Sequence, residues 1–329
     1  MRNAFKGVSE YDRFGPWIDE VTEPEDVPPL YRSFPLDFSA ERLVLKVPRN
    51  ITRRNANPDM DLYDHLILLG QERLTVLSRR KGRPSRQESG AKSSDSGEGY
   101  DVVTIQCADI VAIRNMLNLL DGRLTVSTAE GTPIVVSYNG SAADVVAMFV
   151  SALRETACVK PASRVGQALL AAGGPLARPA VIRGPGRVDT FLASAFLEAH
   201  SANPRLSAWA AHGRRRVAPD PAGAQGSMER LKHALSPMTL HGALFAADED
   251  ALEVFGRHSW LVRGRGAIYS TAQLVIPFGA PERLDMARHP LYPDVTVATV
   301  GAGEWSAEMP VPRDSVAEQL LSEAASKAG

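Results

Sequence analysis

Residues 121–155, DGRLTVSTAEGTPIVVSYNGSAADVVAMFVSALRE, decide the reading of this chain. Two short runs rich in β-branched and apolar residues, 124–127 and 134–138, are punctuated by Asp121-Gly122 and Glu130-Gly131, dipeptides that reverse a chain. Directly behind the second run, Asn139-Gly140-Ser141 opens a segment in which Val145, Val146, Phe149, Val150 and Leu153 return at helical spacing. The expectation is strand, strand, then one amphipathic helix over 142–155, capped by Ser141 with Asp144 three residues on.

Upstream, the same β texture recurs at 42–47, 65–69, 73–77, 102–105 and 110–113, which makes 39–157 one β-rich unit closed by a helix. Downstream, LVIPFGAPERLDM, PDVTVATV, EWSAEMPVP and RDSVAEQLLSEA repeat the order of VVTIQCADIVAI, DGRLTVST, TPIVVSYNG and SAADVVAMFVSAL. Asp121 and Asp294 fall at matching places, as do Asp144 and Ser315. The second unit, 237–329, carries Pro277, Pro281, Pro290 and Pro293, so one or two of its strands are expected at an edge or irregular.

This order of elements resembles the pleckstrin-homology superfold, specifically the bacterial PH-like domains. The resemblance runs from YDHLILLGQERLTVLSRR through the helix and covers about residues 41–155; over 237–326 it is weaker. It implies an α+β fold of two PH-like antiparallel β-barrel or sandwich units, each closed by a C-terminal helix.

Two other regions differ in texture. Residues 1–38 form an arm with seven aromatics among prolines, and with seven acids against Arg13 between residues 10 and 26. It reads as an acidic strap with aromatic anchors, packed on its own domain or offering Tyr11, Phe14 and Trp17 to a partner. Residues 158–236, rich in Ala, Gly, Arg and Pro, read as a connector holding one amphipathic helix at 189–200.

Composition narrows the function classes. In 329 residues, 37 Lys+Arg against 38 Asp+Glu exclude a uniformly basic nucleic-acid binder, and two cysteines exclude a disulfide framework or a Cys-rich zinc site. No nucleic-acid partner is expected. The start lacks a signal-peptide pattern and no apolar run approaches the ~20 residues that span a bilayer, so a cytoplasmic protein is expected, with a peripheral membrane contact as the second option.

Three constellations carry chemistry. Asp59, Asp61 and Asp64 with His65 put three carboxylates and an imidazole within seven residues, and Asp59 with Asp61 has the oxygen ligands a hard cation wants. The plainer reading is a Pro/Asp turn before a strand, and neither a metal nor a cofactor is expected. The cations Arg79, Arg80, Lys81 and Arg83 open the loop after an early strand, where the PH resemblance implies a site for phosphate or anionic lipid; Arg257, Arg263 and Arg265, beside His258 and Trp260, form a second basic stretch. The plainer reading of both is a solvated surface. Cys107 and Cys158 read as small core residues, and neither GxSxG nor HExxH occurs.

The leading expectation is a non-enzymatic scaffold with tandem PH-like modules that bind a protein or peptide, self-association included, the acidic arm of one copy meeting a basic loop of another. Peripheral binding to anionic membranes comes second, and a metal-assisted enzyme at 59–65 third.

Overall fold

The computed structural model describes residues 10–80, 99–177, 189–220, 232–264 and 269–329. It is an α+β chain whose strands are paired antiparallel in four sheets, none of which closes into a barrel. A first sheet is a meander of β1 (Asp19–Glu20), β2 (Glu41–Pro48), β3 (Tyr63–Gly70), β4 (Arg73–Arg79) and β5 (Tyr100–Gln106). In the chain there follow β6 (Ile110–Asn118), β7 (Asp121–Thr128), β8 (Ile134–Asn139) and the helix α2 (Ala143–Ala157), which itself comes after a short helix α1 at Glu10–Arg13. The helix foretold behind Tyr138 is therefore present, but Ser141 does not cap it: Asn139 Oδ1 accepts the Ser141 N–H at 3.0 Å and a 3-10 turn leads into α2.

The run His65–Leu69 is apolar without alternation because β3 is covered on both faces. One face, with Ile67 and Leu69, packs on the core beneath β6–β8 and α2. The other, with Leu66 and Leu68, is covered by the N-terminal arm through Phe14, Val21, Val27 and Tyr31. Tyr31 packs edge-on against Tyr100, ring centroids 5.3 Å apart. The arm is thus a lid on its own unit, and Phe14, offered above as a partner contact, is buried in that core.

The stretch 158–236 does not act as a connector throughout. Helix α3 (Arg164–Gly173) lies in the second core, α4 (Thr190–Ala202) seats Leu192 and Phe196 on Leu244 and Phe255, and β9 (Ser207–His212) buries Trp209. Ala-rich sequence permits this because small side chains let a helix or strand approach a sheet closely; Gly166 has no room for a Cβ against the carbonyl of Phe278. A small sheet of β10 (Arg215–Val217), β11 (Met238–Leu240) and β14 (Leu261–Arg263) follows beside the second core.

The second half runs β12 (Ala243–Ala247), β13 (Ala251–Gly256), β15 (Ser270–Pro277), then β16 (Arg283–Arg288), β17 (Val295–Ala302), β18 (Trp305–Pro312) and α5 (Val316–Ala328). Of the prolines named above, Pro277 is the last residue of β15, an interior strand, and Pro281, Pro290 and Pro293 lie in connections; Pro310 and Pro312 sit in β18, an outer strand of its three-stranded sheet.

The organising feature is a seven-stranded sheet ordered β8-β7-β6-β15-β13-β12-β9. Strand β6 of the first half pairs antiparallel with β15 of the second, Asn115 opposite Gln273 and Ile113 opposite Val275, so one sheet runs through both halves. Its two faces exchange roles at that seam. Ile113, Leu124 and Val275 point into the first core with α2, whereas Leu252, Val254 and Ile276 point the other way, into the second core between this sheet and β16–β18. On the α2 side, Arg154 crosses the seam to Asp248 (2.6 Å) and Glu253 (2.9 Å), both nearly inaccessible.

Candidate functional site

The side-chain rows of the seven-stranded sheet build the site. On the face that is interior to the second half, the strand registers set Thr125, Arg114, Leu274 and Val254 in one row, and Arg123, Met116, Ala272 and Gly256 in the next. Leu274 and Val254 pack in the second core, but Ala272 and Gly256 carry almost no side chain, and over β6 and β7 Ala112 and Ser127 of this face are buried while Arg114, Met116 and Thr125 are half-buried and Arg123 is exposed. The floor therefore drops, and a cleft of about 590 Å³ opens between it and the strand β18.

Trp260 and Trp305 flank this cleft, and Ser127 and Thr125 bring hydroxyls to its floor. Four consecutive residues of β18, Trp305 to Glu308, line it, so β18 presents an edge rather than a face. The wall is fixed to the first half at its hairpin tip, where the Glu304 N–H donates to Ala129 O at 2.8 Å; Gly303, at φ +54°, makes that turn.

Arg257 is buried and held by Asp189 through both ends of its guanidinium, and Arg154 by Asp248 and Glu253. Arg114 is half-buried, yet its hydrogen bond is to the backbone oxygen of His258 at 3.3 Å, and among the described residues neither it nor Arg123 has a carboxylate within ion-pair distance. Burial pushes the pKa of Arg114 down from its ordinary value, the mark of a cation paying desolvation. Glu308, exposed on β18, is the carboxylate of the cleft lining and pairs with neither.

The residues singled out from sequence are scattered relative to this cleft. Asp59 and Asp61 are exposed on an outer turn, Asp64 is ion-paired to Arg79 at 2.8 Å, and His65 Nδ1 is 2.9 Å from Ser78 Oγ. These groups do not converge, and among the described residues no cluster of three or more His, Cys, Asp or Glu can hold a metal. Arg80 is engaged with Asp101 at 2.6 Å, and Arg263 donates to Ser236 O at 3.3 Å. Lys81, Arg83 and Arg265 lie outside the described residues. Arg257 lines the cleft but as a buried, neutralised group, not as a surface cation. Tyr11 is half-buried beneath Arg53, 5.3 Å from its ring, while Trp17 is 59% exposed. Burial pushes the Cys158 thiol up to about 12 and raises that of Cys107, so both stay protonated, unreactive core groups.

Of the cleft residues, Trp260 and Arg257 stand out in the sequence; Arg114, Arg123 and Trp305 do not. Arg114 sits in a strand, IVAIRNMLN, without polar and apolar alternation, and reads as an ordinary surface cation until β6 meets β15.

On the α2 side of the same sheet a second hollow, of about 400 Å³, separates α2 from α4. Its charged floor is neutralised from within: besides the Arg154 ion pairs, Asn203 donates to Asp248 at 2.7 Å and Gln273 to Glu253 at 2.8 Å. No helix of the described residues is long and apolar enough to cross a membrane. No protein-family model, curated protein or solved structure matches the chain.

Proposed function

We propose that the chain is a non-catalytic interaction protein built from two PH-like units, and that it binds a protein or peptide partner. The PH-like reading draws on the order of elements: the first half runs β2–β5, then β6–β8 and α2, while the second runs β9, β12, β13 and β15, interrupted by β10, β11 and β14 of a separate small sheet, then β16–β18 and α5. The observation that carries the functional reading is the cleft at the seam, an open trough with two tryptophans, two arginines that have no acidic partner among the described residues and a strand edge along one side. That combination suits a chain laid along a sheet, with main-chain bonds for affinity and side-chain pockets for selectivity. Anionic lipid is the weaker reading, since Arg79, Arg80 and Arg257 are each taken up by an aspartate.

The test is selection from a phage-displayed library of random dodecapeptides on the immobilised full-length chain. Convergence on a shared motif, with the soluble peptide binding saturably, is the expected result. Recovery of no motif beyond that of an uncoated surface contradicts the proposal.

A further inference from the structure

The prolines of β18 say which of its backbone groups are open. A proline fits a strand where its nitrogen faces away from the neighbouring strand, because it has no N–H to give the ladder. Pro310 and Pro312 pair across from Val297 and Val295 without interrupting β18, which continues to register with β17 from Trp305 to Pro312. Their nitrogens therefore face the free edge. Backbone direction alternates along a strand, so Ser306 and Glu308, in the same phase, turn their N–H and C=O outward too. The edge is blunted at 310 and 312 and open at 306 and 308, where it borders the cleft.

Opposite that open half, Arg114 and Arg123 are diagonal neighbours on β6 and β7, about 7–8 Å apart as such pairs are, with their Cβ atoms somewhat closer. Arg114 is half-buried and Arg123 exposed, so an anion received between them would meet two charge-assisted hydrogen-bond donors. Trp260 and Trp305 offer apolar faces on either side.

Resting on the peptide-binding reading above, we infer that an acidic peptide adds to Ser306 and Glu308 of β18 as an extended fourth strand, with one carboxylate side chain received by Arg114 and Arg123. The ligand class is an Asp- or Glu-containing segment with an apolar neighbour for the tryptophans. Glu308 itself belongs to the wall and does not supply the anion, since its side chain is exposed and unpaired with either arginine.

The experiment starts from the peptides recovered in the selection. Expected are motifs enriched in Asp or Glu, amide shifts on peptide addition confined to β18 and the β6–β7 face, and changed indole signals of Trp260 and Trp305. Arg114→Glu and Glu308→Pro should each weaken the recovered peptide about tenfold or more. Glu308→Pro copies the phase of Pro310 and so spares the β17 ladder; an unchanged amide spectrum elsewhere shows that the fold survives. Peptides without acids, or shifts mapping to another surface, overturn the cleft assignment while leaving a peptide-binding protein in place. Recovery of no peptide overturns both.

Discussion

Arg154 is 7% exposed and touches two carboxylates, so its loss leaves Asp248 and Glu253 buried without a counter-charge. Burial pushes the Glu253 carboxyl up and Arg154 pulls it back; burial also works against Asp248, whose pKa the hydrogen bonds from Arg154 and Asn203 nevertheless hold below the usual carboxylate value. Arg154→Ala should cost about 3–5 kcal/mol by denaturant unfolding, the cost of breaking a buried pair, and Glu253→Gln in the same chain should recover part of it. His212 gives a pH signature. Burial holds its pKa down at about 4, against an ordinary 6.5, and its Nε2 is buried without a partner. The unfolded chain therefore binds the proton first, so stability should fall as pH drops from 6.5 towards 4 and level off below, by at most about 3 kcal/mol. His241, lowered chiefly by burial and by Arg257, adds in the same direction. Melting temperatures of the wild type and His212→Phe at pH 7 and pH 5 check this: the variant should lose much of the difference, and an equal drop in both assigns the pH dependence to other groups.

At the scale of elements, α3 tests how close packing places residues 158–236. Its N-terminus is held by Ser163, whose Oγ accepts the Gly166 N–H at 3.0 Å and donates to Pro281 O at 2.6 Å. A methyl at Gly166 would strike the carbonyl of Phe278, so Gly166→Ala should destabilise by about 1–3 kcal/mol despite the better helix propensity of alanine; a stabilised variant would mean that α3 sits farther out. The elements of the first half are legible because local patterns govern them: alternation in β7, turn dipeptides at 121–122 and 130–131, and the period of α2. Strand β9 is less legible. SAWAAH has little β-branching and sits in Ala-rich surroundings, and only pairing with β12 makes it a strand. Tertiary context overrides propensity there. Likewise the arm's aromatics signal packing, but the apolar second face of β3 that they cover is a fact of the fold.

At the scale of the whole molecule, the two halves are one structure because β6 and β15 share a ladder and Val275 of the second half lies in the core of the first. The seam is not legible in the sequence, since a non-local pairing leaves no periodic trace in either strand; the cleft, Arg114 and Arg123 became visible only with it. A shared sheet and the buried Arg154 cluster predict one cooperative unfolding transition, with coincident loss of near- and far-ultraviolet circular dichroism. Two separated transitions would mean that the seam is weak. The most direct measurement is amide hydrogen exchange by NMR along β6. If β6 is an interior strand, consecutive amides from Ile113 to Leu117, including those turned away from β7, exchange as slowly as the core of β13. Slow exchange on alternate amides only, the pattern of an open edge, would contradict a sheet continuous through both halves and the cleft built on it.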